Sequence, residues 1–547
     1  MKRRIIVGLF VLCVAVVMAA LQLPTESVQA DGAAQIDARV LEDSANGQVA
    51  HFLIVLKEQA DLSGAAALRS KEAKGQFVFE ALTDVANRTQ PAVTDQLDTL
   101  GLEYRAYWVT NMIATSGDRA AIDAIAANPA VALIEPDLVV HFDEPVDMVA
   151  ADDLSMAPEW GLVRIKAPDM WAAGFDGTDA VVANQDTGID WDHPALQSHY
   201  RGWNGSSADH NYNWWDAIHN DIGGNGTNPC GFNSQVPCDD NGHGTHTTGT
   251  AVGDDGGNNQ IGVAPGAKFI GCRNMEEGDG RPSTYTECFQ FFMAPTDLQG
   301  NNPDPSLAPD VVSNSWGCPP SEQCTVTSLL DVVDNVRAAG IFISASAGNE
   351  GSSCGSVQNP IAIFDASTSV GATSSNDAIA SFSSRGPVTV DGSNRLKPDI
   401  SAPGVSVRSS VPGTGYSSFS GTSMAAPHVA GAVALLVDAV PSLSGNVDAI
   451  EAAMLDGADP KTSSQDCGAF PGASVPNAVY GHGILNVWAA YQAASSGGAT
   501  PTPTPPTSSI QLSSLSSNDG GAMPWLALSM LGLLGLAGGA WLSTRRR

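Results

Sequence analysis

Between Ala50 and Asp137 short apolar runs alternate with amphipathic stretches in a fixed order. "AHFLIVLK" has the length and β-branched content of a strand, Leu68 to Val85 carries apolar residues at helical spacing, and "EYRAYWVTNMIATSG" reads as two strands or one bent strand. "DRAAIDAIAANP" follows as a helix and "VALIEPD" as a closing strand. The β-α-β-β-α-β order predicts an α+β ferredoxin-like unit that ends near Phe142.

The periodicity then stops. "DEPVDMVAADDLSMAP" is acidic and poor in aromatics, so residues 146–158 are expected to form an exposed linker or processing region. From 159 to 494, β-branched runs such as "AVVAN", "KFIG", "DVVSNS", "GIFISASAG" and "STSVGA" alternate with helical stretches such as "SLLDVVDNVRAAG". That alternation predicts an α/β domain, a parallel sheet flanked by helices, with its site at the carboxyl ends of the strands. Residues 495–521 are a Pro/Thr/Ser-rich spacer. Ala522–Leu542 is uncharged and long enough to cross a bilayer, with Trp525 and Trp541 near its ends and "RRR" after it.

At the other end, residues 1–30 combine a basic start, an apolar run and small residues at Val28 and Ala30, the pattern of a secretory signal. Residues 31–145 would then open the exported chain with the ferredoxin-like unit. A length of 547 residues suits several domains, and a net charge of −32 argues against a nucleic-acid partner. Removal of the signal takes Cys13 and leaves Cys230, Cys238, Cys272, Cys288, Cys318, Cys324, Cys354 and Cys467. An even number in an exported chain predicts up to four disulfides, with Cys230/Cys238 and Cys318/Cys324 as local staples and the remaining connectivity open.

Three motifs in the central region put a polar group at a strand end or helix start among glycines. Asp186 closes an apolar strand in "VVANQDTGID", His243 opens a helix in "NGHGTHTTG", and Ser423 begins an apolar helix in "GTSMAAPHVAGAVALL". Singly, each is an ordinary turn or cap residue. Together they supply a hydroxyl nucleophile, an imidazole to move its proton and a carboxylate to hold the imidazole, which is the set acyl transfer needs. "SASAGNEG" adds Asn349, whose NH2 could hold an oxyanion.

The motifs "DTGID", "HGTHTTG", "AGNEG" and "GTSMAAPHVAG", in this order over about Trp160 to Ala494, resemble those of the subtilisin-like serine proteases, and the flanking sequences look most similar to the bacillopeptidase F branch. The resemblance implies a serine endopeptidase acting on proteins or peptides, with no cofactor in its chemistry. It assigns Asp186, His243 and Ser423 as the triad and Asn349 as oxyanion donor. Ser315, Trp316 and Gly317, with Ser346, Ala347 and Gly348, would be the walls that pair with substrate, Trp316 being bulkier than is usual there. His246 and His428 are given no chemical role. The amino-terminal unit resembles the propeptide of the same family, an intramolecular inhibitor, with cleavage expected between about Phe142 and Glu159.

The resemblance also admits structural calcium. Ala195 stands where some relatives place a ligand carboxylate, which weakens one such site. Asp254 and Asp255 in "GDDGGNNQ" offer another, although the same loop reads equally as an acidic turn. The expected protein is a monomer at the cell surface or secreted, its C-terminal segment either a permanent membrane span or a sorting signal that is trimmed.

Overall fold

A computed structural model of the protein describes residues 34–496 apart from 143, 151–156, 223–227, 319–323 and 328. The expected signal, nearly all of the spacer and the membrane-length segment lie outside the described residues. The amino-terminal unit runs β1 (Gln35–Ile36), α1 (Ala38–Asp43), β2 (Ala50–Leu56), α2 (Lys71–Thr89), α3 (Pro91–Leu100), β3 (Tyr104–Tyr107), β4 (Met112–Gly117), α4 (Arg119–Ala126) and β5 (Val131–Pro136). Its sheet order is β1-β5-β2-β4-β3, the ferredoxin-like arrangement with β1 added in parallel on β5.

The helix expected over 68–85 is α2, Lys71–Thr89, and a further helix, α3, follows it. Ser70 accepts the Ala73 N–H at 3.2 Å and starts α2 at Lys71. Pro91 then begins α3, since a proline at the first helical position loses no hydrogen bond. Alternation along β2 sends Phe52, Ile54 and Leu56 toward Val93, Leu97 and Ile122. Leu53 and Met112 join a second cluster with Phe289 and Phe292, so the two faces of this sheet bury against different partners.

The rest of the chain contains β6 (Val140–His141), β7 (Asp147–Ala150), α5 (Trp160–Arg164), α6 (Ala167–Ala172), β8 (Val181–Asp186), β9 (Trp214–Asp216), α7 (His243–Val252), β10 (Lys268–Arg273), β11 (Met275–Glu276) and β12 (Asp279–Gly280). It continues with α8 (Pro282–Met293), β13 (Val311–Asn314), α9 (Leu330–Ala338), β14 (Phe342–Ser346), β15 (Thr368–Thr373), β16 (Ile400–Pro403), β17 (Val407–Ser410), β18 (Tyr416–Ser420), α10 (Thr422–Ala439), α11 (Val447–Gly457) and α12 (Val487–Ser495). The strands β16-β15-β14-β13-β8-β10-β9 form a parallel sheet in that order, as the alternating pattern predicts. The chain moves from β8 to β10 on one side and later to β13 on the other, so β8 is the switch point where a crevice opens.

One face of this sheet carries α10, where Val429, Val433 and Leu436 pack with Val182, Phe342 and Ile400. The other face buries Val312, Ile343 and Ala345 with Phe289 of α8 and Val333 of α9. Apolar and 18 residues long, α10 meets the length of a membrane span, yet it is a core helix. Four disulfides join Cys230–Cys238, Cys272–Cys288, Cys318–Cys324 and Cys354–Cys467, so the two local staples pair as expected.

The segment read as an exposed linker departs from that reading at its start. Asp147–Ala150 is a strand, antiparallel to β18, and β6 just before it is antiparallel to β12. Pairing through the backbone needs no hydrophobic period, which is why the sequence pattern gives no sign of it. Met148 and Val149 remain 58% and 62% exposed.

Candidate active site

Asp186 ends β8 at the switch point with its side chain fully buried. Its Oδ1 takes the His243 Nδ1 at 2.7 Å and the Thr187 N–H at 2.8 Å, and Thr247 donates to Oδ2 at 3.1 Å. His243 is the first residue of α7, and Thr247 lies one helical turn on, facing the same carboxylate. Gly244 must be a glycine, because any Cβ there would overlap the Gly188 carbonyl oxygen. Burial by itself would lower the imidazole pKa, but the charge and hydrogen bond of Asp186, with Asp239 and Glu144 further off, raise it on balance.

His243 Nε2 is buried and has no hydrogen-bond partner among the described residues. Ser423, 3% exposed, is the second residue of α10. Its hydroxyl donates to the Ser315 carbonyl at 3.1 Å, and the Ser315 hydroxyl donates to the Ser423 carbonyl at 2.9 Å. Pro427 explains the second bond: four residues after Ser423, it has no N–H to give to that carbonyl. Asp186 and His243 are therefore hydrogen-bonded as the motifs suggest, whereas the Ser423 hydroxyl is bonded to Ser315.

Asn349 lies three residues beyond β14. Its Oδ1 accepts from the Thr422 N–H and Thr422 hydroxyl, both at 2.9 Å. With the oxygen held, the NH2 is the end left to donate, and the first turn of α10 presents further N–H groups beside it. Ser346, Ala347 and Gly348 connect β14 to Asn349, with Gly348 at φ +99° and its N–H donating to Thr422 Oγ1 at 3.2 Å. Ser315, Trp316 and Gly317 leave β13 in the same way, and Trp316 stacks on Tyr285 of α8 at 3.9 Å between ring centroids.

The chain's own segment crosses this region. Val140 is fully buried and paired with Gly280, the Phe142 N–H donates to the Gly278 carbonyl at 3.0 Å, and the Phe142 ring packs against His243 at 4.8 Å. On the far side, the Val146 N–H donates to the Ser420 carbonyl at 2.7 Å, three residues before Ser423. Asp137 anchors the entry by accepting the Ser283 N–H and hydroxyl at 2.9 and 2.7 Å at the start of α8.

His246 and His428 take structural places. His246 Nε2 contacts the Val407 and Ser417 carbonyls at 3.0 and 3.1 Å, and burial lowers its pKa to about 3. Burial likewise lowers His428 to about 4, beside the Met424 carbonyl. Asp254 Oδ1 accepts the Gly256 N–H, and Asp255 accepts from Gly257 and twice from Asn259. No cluster of three or more His, Cys, Asp or Glu side chains that could hold a metal occurs among the described residues. The bonds of Asp254 and Asp255 give this loop the form of a turn.

Sequence reasoning missed Thr247 and Asn359. Thr247 carries a signal, its i+4 spacing from His243. Asn359 carries none, because its place near Gly317 and Gly348 depends on the fold.

Residues 177–483 match the Subtilase family. The chain is 37% identical over 479 residues to Bacillopeptidase F of Bacillus subtilis strain 168, covering 82% of this chain and 31% of that protein. It is 30% identical over 395 residues to Subtilisin E of the same organism, covering 72% of this chain and 84% of that protein. Subtilisin of Bacillus pumilus is 31% identical over 336 residues, 61% of this chain and 98% of that protein. The chain thus spans about a third of Bacillopeptidase F and most of the shorter subtilisins. Since the matched span contains the strands and helices that carry Asp186, His243 and Ser423, the chain belongs to the subtilase family.

Proposed function

We propose that the protein is an exported serine endopeptidase made as a precursor. The observation that carries this reading is the buried Asp186–His243 pair with an unengaged Nε2, together with the Ser423 hydroxyl at the start of the buried helix α10. Ser423 turns from the Ser315 carbonyl to His243, which takes its proton as Oγ attacks the peptide carbonyl. Asp186 holds the Nδ1–H and stabilises the imidazolium. The oxyanion is met by the Asn349 NH2 and the backbone N–H of Ser423. His243 returns the proton to the leaving amine, an acyl group remains on Ser423, and water removes it by the same path. These side chains carry every step without a cofactor.

Residues 31–145 act as the intramolecular inhibitor, and residues 159–494 as the peptidase. The backbone pairing of Val140 and His141 with β12, of Phe142 with Gly278 and of 146–150 with β18 supports a substrate-like path for these two stretches. Cleavage falls between Phe142 and Val146, inside the wider interval that the linker suggests. Export rests on the amino-terminal signal pattern, and surface attachment on residues 522–547.

The test is intact mass and amino-terminal sequencing of purified wild type and Ser423→Ala. Wild type is expected to yield a product whose amino terminus lies between Phe142 and Val146, and Ser423→Ala to remain whole. Equal processing of both would overturn self-cleavage by Ser423.

A further inference from the structure

β8 opens with Val181, Val182 and Ala183 and then turns polar before it reaches Asp186. Asn184 lies two residues before Asp186, so both side chains leave the same face of the strand, toward α7. Asn184 is 1% exposed. Its NH2 faces three acceptors, the Thr247 and Thr248 hydroxyls, both at 3.0 Å, and the Gly244 carbonyl at 3.2 Å. That carbonyl can only accept, so the amide must turn its nitrogen and not its oxygen to the helix. Asn184 Oδ1 is left buried with no hydrogen-bond partner among the described residues, a cost that an apolar residue would avoid.

The arrangement decides where the Thr247 proton goes. With the Asn184 NH2 on its oxygen, the hydroxyl has one proton and two acceptors at 3.1 Å, Asp186 Oδ2 and the Gly244 carbonyl. The carbonyl already faces the Asn184 NH2 and the Thr248 hydroxyl at 2.8 Å, while Oδ2 has no other donor among the described residues. A charged acceptor also makes the stronger bond. We propose that Thr247, aimed by Asn184, is a positioning residue that holds Asp186 Oδ2 and draws part of the carboxylate charge away from His243. Without that bond the full charge would face the imidazole, which would keep its proton more tightly and serve as a base only at higher pH. This rests on the proteolytic reading above, because the bond matters to the reaction only if Ser423 gives its proton to His243. The other charged groups facing His243 are Asp239, just before α7, and Glu144, on the crossing segment, and His246 on α7 is neutral above about pH 3. A change at Thr247 leaves all three in place.

The test is the second-order rate of Ser423 labelling by a fluorophosphonate, measured against pH on matured wild type, Thr247→Val and Thr247→Ser. Wild type is expected to lose rate in acid as His243 gains its proton. Thr247→Val keeps the shape and removes the donor, so this acid limb is expected about half to one pH unit higher, a loss of about three- to tenfold on the acid side that recovers in alkali. Thr247→Ser keeps the hydroxyl and should keep the wild-type limb. A residue that only packs α7 against β8 would lower the rate at every pH and leave the limb where it is. That result overturns the inference, as does a limb moved to lower pH, or one that moves in Thr247→Ser as it does in Thr247→Val. If Thr247→Val does not fold, Asn184→Val combined with Thr247→Val makes both partners apolar together and carries the same expectation. Wild type that takes no label at any pH overturns the proteolytic reading beneath it.

Discussion

Pro427 ties the Ser423 helix to the strand end that would pair with substrate. By withholding one N–H it frees the Ser423 carbonyl for the Ser315 hydroxyl, fixing the helix start against the end of β13. Asn349 is held by a comparable device, its oxygen spent on Thr422 so that its NH2 is the free end. His243 gives the measurable consequence. Burial lowers its pKa and Asp186 outweighs that, leaving the net value above 6.5. Only the neutral imidazole can accept a proton, so kcat/KM should fall as pH drops through a value above 6.5. Asp186→Asn leaves the burial and removes the charge, so the acid limb should move to lower pH while kcat falls roughly 10⁴-fold. A pH–rate profile of both proteins checks the direction. Asp186, His243, Ser423 and Asn349 were legible because each sits in a short motif with its own glycines. Asn359 was not, since its contacts with Gly317 and Gly348 join residues 42 and 11 positions away.

At the scale of elements, β5 of the amino-terminal unit shows how its docking could respond to pH. Glu135 is buried, and burial first, then the charges of Asp331, Asp37 and Asp137, raise its pKa to about 7 against a hydrogen bond with Thr325. Asp331 belongs to α9, so part of this repulsion acts between the amino-terminal unit and the larger region. A carboxyl whose pKa rises on docking binds its proton more tightly in the docked state. Its contribution is therefore complete below about pH 4.5 and is lost as pH rises through about 7. Affinity of the separated amino-terminal unit for the matured wild-type protein, inactivated on Ser423 by a fluorophosphonate, should fall at least tenfold between pH 5 and 8. Glu135→Gln should flatten that dependence, and an unchanged slope would contradict the account. The strands and helices around Glu135 were readable from periodicity because their apolar faces are buried. Strands β6 and β7 were not, because four or fewer residues paired through backbone alone leave no hydrophobic signature.

Over the whole molecule, the disulfides brace the loops on which the site depends. Cys354–Cys467 closes 113 residues and anchors the loop just beyond Asn349 and Glu350. Replacing both cysteines with alanine should cost roughly 4–5 kcal/mol by loss of the chain constraint. Thermal inactivation of the matured protein at a clearly lower temperature would report it. Cysteine count and export pattern made four bridges foreseeable, but only the two closest pairs could be named before the fold brought Cys272 to Cys288 and Cys354 to Cys467. The parallel sheet was likewise plain from alternating runs, while its order around β8 required the structure.

The most direct test of the central claim is labelling of the matured protein by a fluorophosphonate probe, followed by mapping of the modified peptide. The account predicts stoichiometric modification of Ser423, abolished by His243→Ala and strongly slowed by Asp186→Asn. Absence of label on a folded protein freed of residues 31–145, or label on another serine, would contradict it.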